Sequence, residues 1–278
     1  MLDLEKEAII KAREYQVVKS NELVLKSRYQ FSITEQKTIA YICSMIKPSV
    51  SDESGYVLDY EFNILDYAKI CGIESTGKLY DDVKRVLKGL RDKSMWLTLP
   101  NGSETVVGWL DRVTTDKGSG IVKIKIDDRL VPYLFDLKSR YLSYGLKNIL
   151  CIKSQYSIRI YELLKTYYEM KIAQTDKRPK GQRISNPNPI EWEIEINELK
   201  KMLMVDSVKS YNHFGLFRQK VLEPAYKEIN ELTDIFFNFE PIPKGRKVIG
   251  VKFTIIRKNT TQQLATDIRT SELLGLPE

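Results

Sequence analysis

The pentapeptides Tyr60–Ile64 (YEFNI) and Trp192–Ile196 (WEIEI) each open one copy of a pattern that occurs twice in this chain. Both are apolar at every second position, which is the period of a half-buried strand. In each copy a short apolar helical segment, a polar break, a longer amphipathic helix and a β-hairpin follow the strand. This order is typical of a winged helix-turn-helix. The sequence therefore predicts an α+β fold with two tandem winged-helix domains related by pseudo-duplication.

The two copies align position by position with little identity. Their apolar positions correspond as follows: Tyr60 with Trp192, Phe62 with Ile194, Ile64 with Ile196, Ile70 with Met202, Ile73 with Val205 and, after a three-residue insertion, Val86-Leu87 with Val221-Leu222. A shared apolar pattern indicates a shared fold, because apolar positions record which face of each element is buried. It leaves open whether the two copies share a function.

The first copy is expected to contain a strand over 57–62, a helix over 64–71 that ends at Gly72, and a long helix over 78–93. Three further strands are expected to form its sheet and wing: 96–99, 105–113 and 121–126. Nearer the N-terminus, Leu23-Val24-Leu25 is a candidate for a short extended segment.

The length of 278 residues suits two domains. We expect an N-terminal winged-helix domain over 1–137, a C-terminal one over 138–258 and a flexible tail over 259–278. No apolar run approaches the ~20 residues that span a bilayer, and the acidic start Met1–Glu7 lacks the features of a signal peptide. The sequence therefore predicts a cytoplasmic protein with no membrane partner.

The net positive charge comes entirely from the second half of the chain. Residues 1–130 carry 20 Lys and Arg against 20 Asp and Glu, whereas residues 131–278 carry 24 against 17, which accounts for the whole net charge of +7. Cationic side chains that neutralise DNA phosphates release counterions, and this release drives binding. The charge therefore favours double-stranded DNA as a partner of the second copy, although a solvated basic surface without a partner would have the same composition.

A long amphipathic helix is expected in the second copy, from about residue 209 or 211 to 232. One face is apolar at helical spacing and should be buried: Phe214, Phe217, Val221, Ala225 and Ile229. The opposite face carries Asn212, Leu216, Gln219, Lys220 and Glu223.

A recognition helix places the outward residues of its N-terminal part in the major groove. The candidates for base contact are Lys209, Ser210, Asn212, Gln219 and Lys220, with Arg218 on the flank. Lys and Arg can donate to guanine O6 and N7, and Asn and Gln can pair with adenine N6 and N7. An ordinary solvated helix face is the alternative interpretation.

The hairpin that follows has a short basic connection. Lys244, Arg246 and Lys247 are candidates for contacts with phosphates or the minor groove, which position a domain and carry less base information.

Two further basic groups are weaker candidates. Lys153, Ser154 and Arg159 lie at the start of an expected helix, whose free N–H groups can bind a phosphate; helix capping explains Ser154 equally well. In the first copy Lys84, Arg85, Lys88 and Arg91 form a basic stripe that is either a contact to flanking phosphates or an ordinary exposed face. The exposed sheet of the first copy offers a surface for dimerisation.

Catalytic chemistry has little support in the sequence. His213 is the only histidine, so the paired-histidine metal site of a nicking enzyme of the rolling-circle type cannot be assembled, and no Gly-rich phosphate loop with Lys-Ser/Thr is present. Cys43, Cys71 and Cys151 match no metal motif and lie among apolar neighbours, which indicates buried free thiols. We therefore expect no enzyme activity, no catalytic residue, no metal and no cofactor.

Several segments resemble one family, the theta-type plasmid replication initiators of the initiator RepB group, which bind repeated origin sequences called iterons. The segments are Val18–Asn21 (VKSN), Thr34–Lys37 (TEQK), Leu146–Ile149 (LKNI), Lys153–Leu164 (KSQYSIRIYELL), Phe217–Asn230 (FRQKVLEPAYKEIN) and Lys244–Val248 (KGRKV). The resemblance covers roughly residues 17–257. Residues 174–191, expected to be a surface loop, and the tail after 258 fall outside the matched segments.

The resemblance implies that sequence reading lies mainly in the second winged-helix domain, while the first supplies much of the dimer contact. From its basic stripe, we also expect the first domain to add auxiliary contacts to the DNA backbone. The resemblance also implies that the monomer starts replication and that the dimer represses its own gene at an operator inverted repeat, which would serve plasmid copy control. Further implied partners are the host replication initiator and helicase. The alternative is a winged-helix transcriptional regulator without an origin function, for which the DNA chemistry would be the same.

Overall fold

The computed structural model describes residues 2–46, 51–52, 55–74, 76–98, 102–116, 118–135, 137, 140–176 and 189–275. In chain order, its first half contains α1 Leu2–Arg13, β1 Gln16–Ser20, α2 Asn21–Lys26, α3 Ile33–Met45, β2 Ser51–Asp52, β3 Gly55–Tyr56, β4 Asp59–Asn63, α4 Ile64–Cys71, α5 Leu79–Asp92, β5 Ser94–Thr98, β6 Glu104–Gly108, β7 Leu110–Thr115, β8 Ile121–Ile126 and α6 Val131–Leu134. The second half contains β9 Tyr141–Gly145, α7 Lys147–Leu150, α8 Gln155–Thr175, β10 Ile190–Glu195, α9 Ile196–Met202, α10 Phe214–Phe217, α11 Glu223–Leu232, β11 Ile235–Lys244, β12 Lys247–Arg257 and α12 Thr260–Leu273.

The duplicated pattern corresponds to a duplicated topology. In the first unit the sheet order is β4-β8-β7, and in the second it is β10-β12-β11. In both, the opening strand pairs antiparallel with the last strand of the hairpin, and two helical segments lie between them in sequence. The prediction of two winged-helix units is therefore confirmed. The first unit also has an additional hairpin, β5–β6, between its long helix and its wing.

The first unit follows the predicted elements closely. Helix α4 ends at Gly72, which adopts a left-handed backbone conformation (φ 65°) that glycine reaches without a Cβ clash. The strand expected over 105–113 is divided into β6 and β7, and buried Trp109 lies between them. Leu23-Val24-Leu25, expected to be extended, lies in α2, because the Ser20 hydroxyl accepts a hydrogen bond from the Leu23 N–H and caps a helix there.

The segment that joins the two units is structured and packed. Strand β9 pairs antiparallel with β1 from Gln16–Gly145 to Ser20–Tyr141. Hydrogen bonds therefore cross the boundary expected between residues 137 and 138. Helix α8 then packs against α2, α3 and β9, and also against α11 and β10. Residues 177–188 of the expected surface loop lie outside the described residues.

Residues 259–278 were expected to form a flexible tail, and this expectation is wrong for the part that the structure describes. Thr260–Leu273 form α12, which begins with a capping box between Asn259 and Gln262. Thr266 and Thr270 are buried, and Asp267 pairs with Lys147 at 2.9 Å. The polar composition of the segment gave no indication of this helix, because ion pairs with distant residues, Lys147 with Asp267 and Glu231 with Arg269, hold it in place.

Candidate DNA-binding surface

The long helix of the second unit is interrupted. A 3₁₀ turn over Lys209–Asn212 leads to extended His213, after which α10, a π-helical turn over Arg218–Leu222 and α11 follow without a break. Pro224 gives the physical reason, because proline has no N–H and its ring clashes with the carbonyl four residues earlier. The wider π turn relieves this conflict while the helix axis continues.

The predicted inner face of this helix is buried. Phe217, Val221, Ala225 and Ile229 are all fully buried, and Phe214 packs half-buried against the same core. The ammonium group of Lys200, on α9, lies 5.7 Å from the centroid of the Phe217 ring, and burial lowers the pKa of Lys200. Aromatic and aliphatic packing on the buried inner face thus fixes the helix, so its outer face has a defined orientation.

The predicted base-contacting residues lie on the surface. The exposed side chains of this segment include Lys209, Ser210, Asn212, Gln219 and Lys220. Arg218 is also exposed, but its Nε donates to Glu223 Oε1 at 2.9 Å and its guanidinium lies 5.9 Å from the Phe239 ring of β11. Arg218 is therefore directed toward the wing hairpin.

The wing is a two-residue hairpin turn at Gly245-Arg246, with Gly245 in the left-handed conformation (φ 62°). Lys244, Arg246 and Lys247 are all exposed. Lys244 and Lys247 lie directly opposite each other in the strand register. Like charges in this arrangement destabilise a hairpin, so the pair makes no favourable contribution to folding and is well suited to an external anion.

Arg159 does not lie on this surface, and its assignment as a phosphate contact is wrong. It is buried, its Nε donates to the Met202 carbonyl at 3.3 Å, and Nη2 donates to the Ser27 carbonyl at 3.1 Å. Its guanidinium also lies 5.0 Å from the Tyr29 ring. Arg159 therefore links α8 to the N-terminal unit and to α9. Because the residues that bury Arg159 are distant in sequence, no local sequence pattern indicates that it is buried.

The N-terminal end of α8 already has an anion. The backbone N–H groups of Lys153 and Ser154 donate to the two carboxylate oxygens of Glu228, at 2.9 and 3.2 Å. The Ser154 side chain makes no capping hydrogen bond. The expected phosphate site is thus occupied by a carboxylate from α11, which would repel a phosphate. The exposed Lys153 side chain stays a candidate.

The basic stripe of the first unit is partly neutralised by its own helix. Arg85 pairs with Asp82 at 2.9 Å, and Lys88 pairs with Asp92. Lys84 is half-buried, and together with Lys88 and Arg91 it lines one wall of an open groove of about 470 Å³ against β7. The Arg85–Asp82 and Lys88–Asp92 ion pairs favour the interpretation of an ordinary exposed face over that of a phosphate contact.

Between the two units lies a buried polar junction that the sequence did not indicate. Glu162 of α8 accepts from Lys19 Nζ at 2.5 Å and from the Tyr144 hydroxyl at 2.6 Å, and all three are buried. Burial alone would lower the pKa of Lys19 and raise that of Glu162. Their mutual attraction outweighs this, so the pKa of Lys19 is raised and that of Glu162 is lowered. The pair is therefore held in its charged form.

A similar pair anchors α8 to the second unit. Asp234, which follows α11, accepts from Lys165 Nζ at 2.5 Å and from the Tyr161 hydroxyl at 2.8 Å.

Within the described ranges, no group of three or more His, Cys, Asp or Glu side chains is placed to hold a metal ion. Among the same residues, no helix combines the length and apolar character that a membrane crossing requires.

The fold and the exposed basic helix and wing define the class: a tandem winged-helix protein. Two family models match it, one described as "Initiator Replication protein, WH1" over residues 16–165 and one as "Initiator Rep protein, WH2" over residues 195–255. The first alone covers more than half of the chain. The chain therefore belongs to the initiator replication protein family.

Curated relatives carry consistent names. A "Replication initiation protein" of Escherichia coli is 26% identical over 227 residues, which are 80% of this chain and 64% of that protein. The "PI protein" of Escherichia coli is 24% identical over 201 residues, 68% of this chain and 60% of that protein. The chain thus spans less than two thirds of the length of these two relatives.

A solved structure has the same fold. The crystal structure of the Pi initiator protein in complex with iteron DNA superimposes with a TM-score of 0.68 at 21% identity, covering 89% of this chain and 99% of that one. At this identity the likeness concerns the fold, and it agrees with the two winged-helix units described above.

Proposed function

We propose that this protein is a sequence-specific, non-enzymatic plasmid replication initiator that binds origin iterons through its second winged-helix unit. The observation that carries the proposal is the combination, in a single unit, of an exposed polar helix face and a basic wing. Gln219 and Lys220 would contact base edges, whereas Lys244, Arg246 and Lys247 would hold phosphates. Lys209, Ser210 and Asn212 would lie at the entrance of the major groove.

The family and its relatives support the same function. The curated relatives are named for replication initiation and for the PI protein, and the Pi initiator was crystallised with iteron DNA. In this proposal the first unit adds backbone contacts, with the N-terminal domain extended beyond residue 137 to include β9. The host replication initiator and helicase are further proposed partners.

The test is an electrophoretic mobility shift with the DNA that flanks the gene. We expect the full chain to bind a duplex containing tandem direct repeats at least about 10³-fold more tightly than the same duplex scrambled, as is usual for specific DNA binding. Equal affinity for the two duplexes would overturn the proposal. Preference for a lone palindrome, with no dependence of plasmid replication on the protein, would instead favour a transcriptional regulator.

Dimerisation is the second part of the proposal, and the β5–β6 hairpin is the surface assigned to it. Trp96 and Val106 are directly opposite each other on this hairpin and are 56% and 39% exposed. A pair of large exposed apolar side chains on a two-stranded sheet can pack against the same surface of a second copy of the chain. The dimer would bind the operator inverted repeat and so control copy number.

Sedimentation analysis of the full chain tests this assignment. Trp96→Ser should weaken self-association at least tenfold, because it removes the largest exposed apolar side chain of the hairpin. Leu264→Ser is the matched control, since Leu264 is 60% exposed on α12 and lies outside the hairpin. A monomer at all concentrations, or an unchanged association constant in Trp96→Ser, would contradict it.

A further inference from the structure

The exposed face of the long helix in the second unit has an apolar side chain at its centre. Leu216 is 40% exposed, follows the exposed Asn212 by four residues, and lies about one turn before Gln219 and Lys220. The other apolar residues around it, Tyr211, Phe214 and Phe217, pack into or against the core. Leu216 is therefore directed outward, among the residues proposed to contact bases.

A single exposed leucine is ordinary on a protein surface and by itself requires no explanation. The corresponding position in the long helix of the first unit carries a different kind of side chain. In α5 the residue before the buried Val83 is Asp82, which is paired with Arg85. In the second unit the residue before the buried Phe217 is Leu216. The second unit thus has an apolar group where the first has a carboxylate.

We infer that Leu216 recognises a thymine through its C5-methyl group. This inference rests on the proposed function, because it requires the helix to lie in the major groove. The thymine methyl is the apolar group that base-pair edges present there, and aliphatic side chains contact it. Leucine has no hydrogen-bonding group, so its contribution to specificity is burial of that methyl, added to the hydrogen bonds of Gln219 and Lys220.

Replacement of thymidine by deoxyuridine tests the contact with Leu216, because the two nucleosides differ only by the C5-methyl group. The probe is the duplex that the full wild-type chain enriches from a random DNA library, with its thymines replaced one at a time by deoxyuridine. For the wild type we expect one or two replacements to weaken binding about fourfold each, the effect of one buried methyl group. Leu216→Ala should bind the unmodified duplex more weakly and should no longer respond at those thymines.

Two further variants complete the design. Leu216→Met retains an apolar contact and should retain the response. Leu264→Ala, a matched change at an exposed leucine on α12, should behave as the wild type. Thermal unfolding followed by circular dichroism should show that all variants fold, because both leucines are exposed.

The outcomes separate this inference from the function on which it rests. If the wild type enriches a sequence but tolerates every deoxyuridine, or if Leu216→Ala shows the same response as the wild type, the assignment of Leu216 is overturned and sequence-specific binding stands. If no sequence is enriched, the proposed function fails and the inference fails with it.

Discussion

The long helices of the two units occupy the same place in the duplicated fold but differ in charge and in geometry. Helix α5 begins with Asp81 and Asp82, and two of its cations, Arg85 and Lys88, are paired with acids of the same helix. The corresponding helix of the second unit carries no acid before Glu223. The core requires only the inner face, so the outer face is free to diverge. The outer face of α5 is partly self-neutralised, whereas that of the second long helix is polar and cationic.

The geometry differs by one residue. In α5 the buried residues Val83 and Leu87 are four positions apart, as expected for an α-helix, whereas Phe217 and Leu222 are five apart across the π-helical turn. One of the three extra residues between the copies is thus absorbed inside the helix. The wider π turn lets both Phe217 and Leu222 face the core at this five-residue spacing.

The largest expected effect tests whether the two units are independent bodies. Lys19→Met leaves Glu162 buried without its cation, and breaking a buried pair in this way costs about 3–5 kcal/mol. Because the pair joins β1 to α8, we expect a single urea transition that moves to lower concentration, measured by circular dichroism. Two resolved transitions of which only one shifts would show that the units unfold separately. Lys19→Met combined with Glu162→Gln should recover part of the loss.

The next effect compares the basic groups of the two units. Replacing Lys244, Arg246 and Lys247 with alanine should weaken binding to all DNA sequences and reduce the slope of log K against log salt by about 3, roughly one per lost phosphate contact. Binding isotherms over a range of KCl concentrations measure the slope. The matched triple change at Lys84, Arg85 and Lys88 should reduce it less, because two of these cations already have carboxylate partners. Equal reductions would remove the distinction between the units.

A smaller effect concerns base reading. Lys220→Ala should lower discrimination at one base pair by about 1–3 kcal/mol, the range for one specific contact. Arg85→Ala, on the corresponding helix of the first unit, should leave every base preference unchanged. Competition binding with singly substituted duplexes gives both values. A loss of base preference in Arg85→Ala would mean that the first unit also reads sequence.

The smallest effect distinguishes two serines at helix starts. Ser32 and Glu35 form a capping box at α3, so Ser32→Ala should lower the free energy of unfolding by about 1 kcal/mol. Ser154→Ala should be close to neutral, because Glu228 and not the Ser154 hydroxyl holds the start of α8. Thermal unfolding of both variants measures the difference, and equal losses would contradict the assigned roles.

Much of the site was accessible from the sequence because it depends on local periodicity. The inner face of the second long helix and the basic wing follow from residue spacing and from a short turn. The interruption of that helix was missed, although Pro224 inside a helical pattern was a visible signal for it. Arg159 and Glu228 could not have been assigned, since nothing in their neighbourhood indicates which distant residue meets them.

The amino-acid sequence alone determined the duplicated winged-helix pattern, the buried faces and the location of the excess charge, because apolar periodicity and composition are local properties. The tertiary structure decided which cations are available. Arg159 donates hydrogen bonds to the backbone carbonyls of Ser27 and Met202, and Glu228 accepts from the N–H groups at the start of α8. It also placed α12 against α7 through Lys147 and Asp267. Contacts between residues far apart in sequence fix these outcomes, and such contacts exist only once the chain has folded.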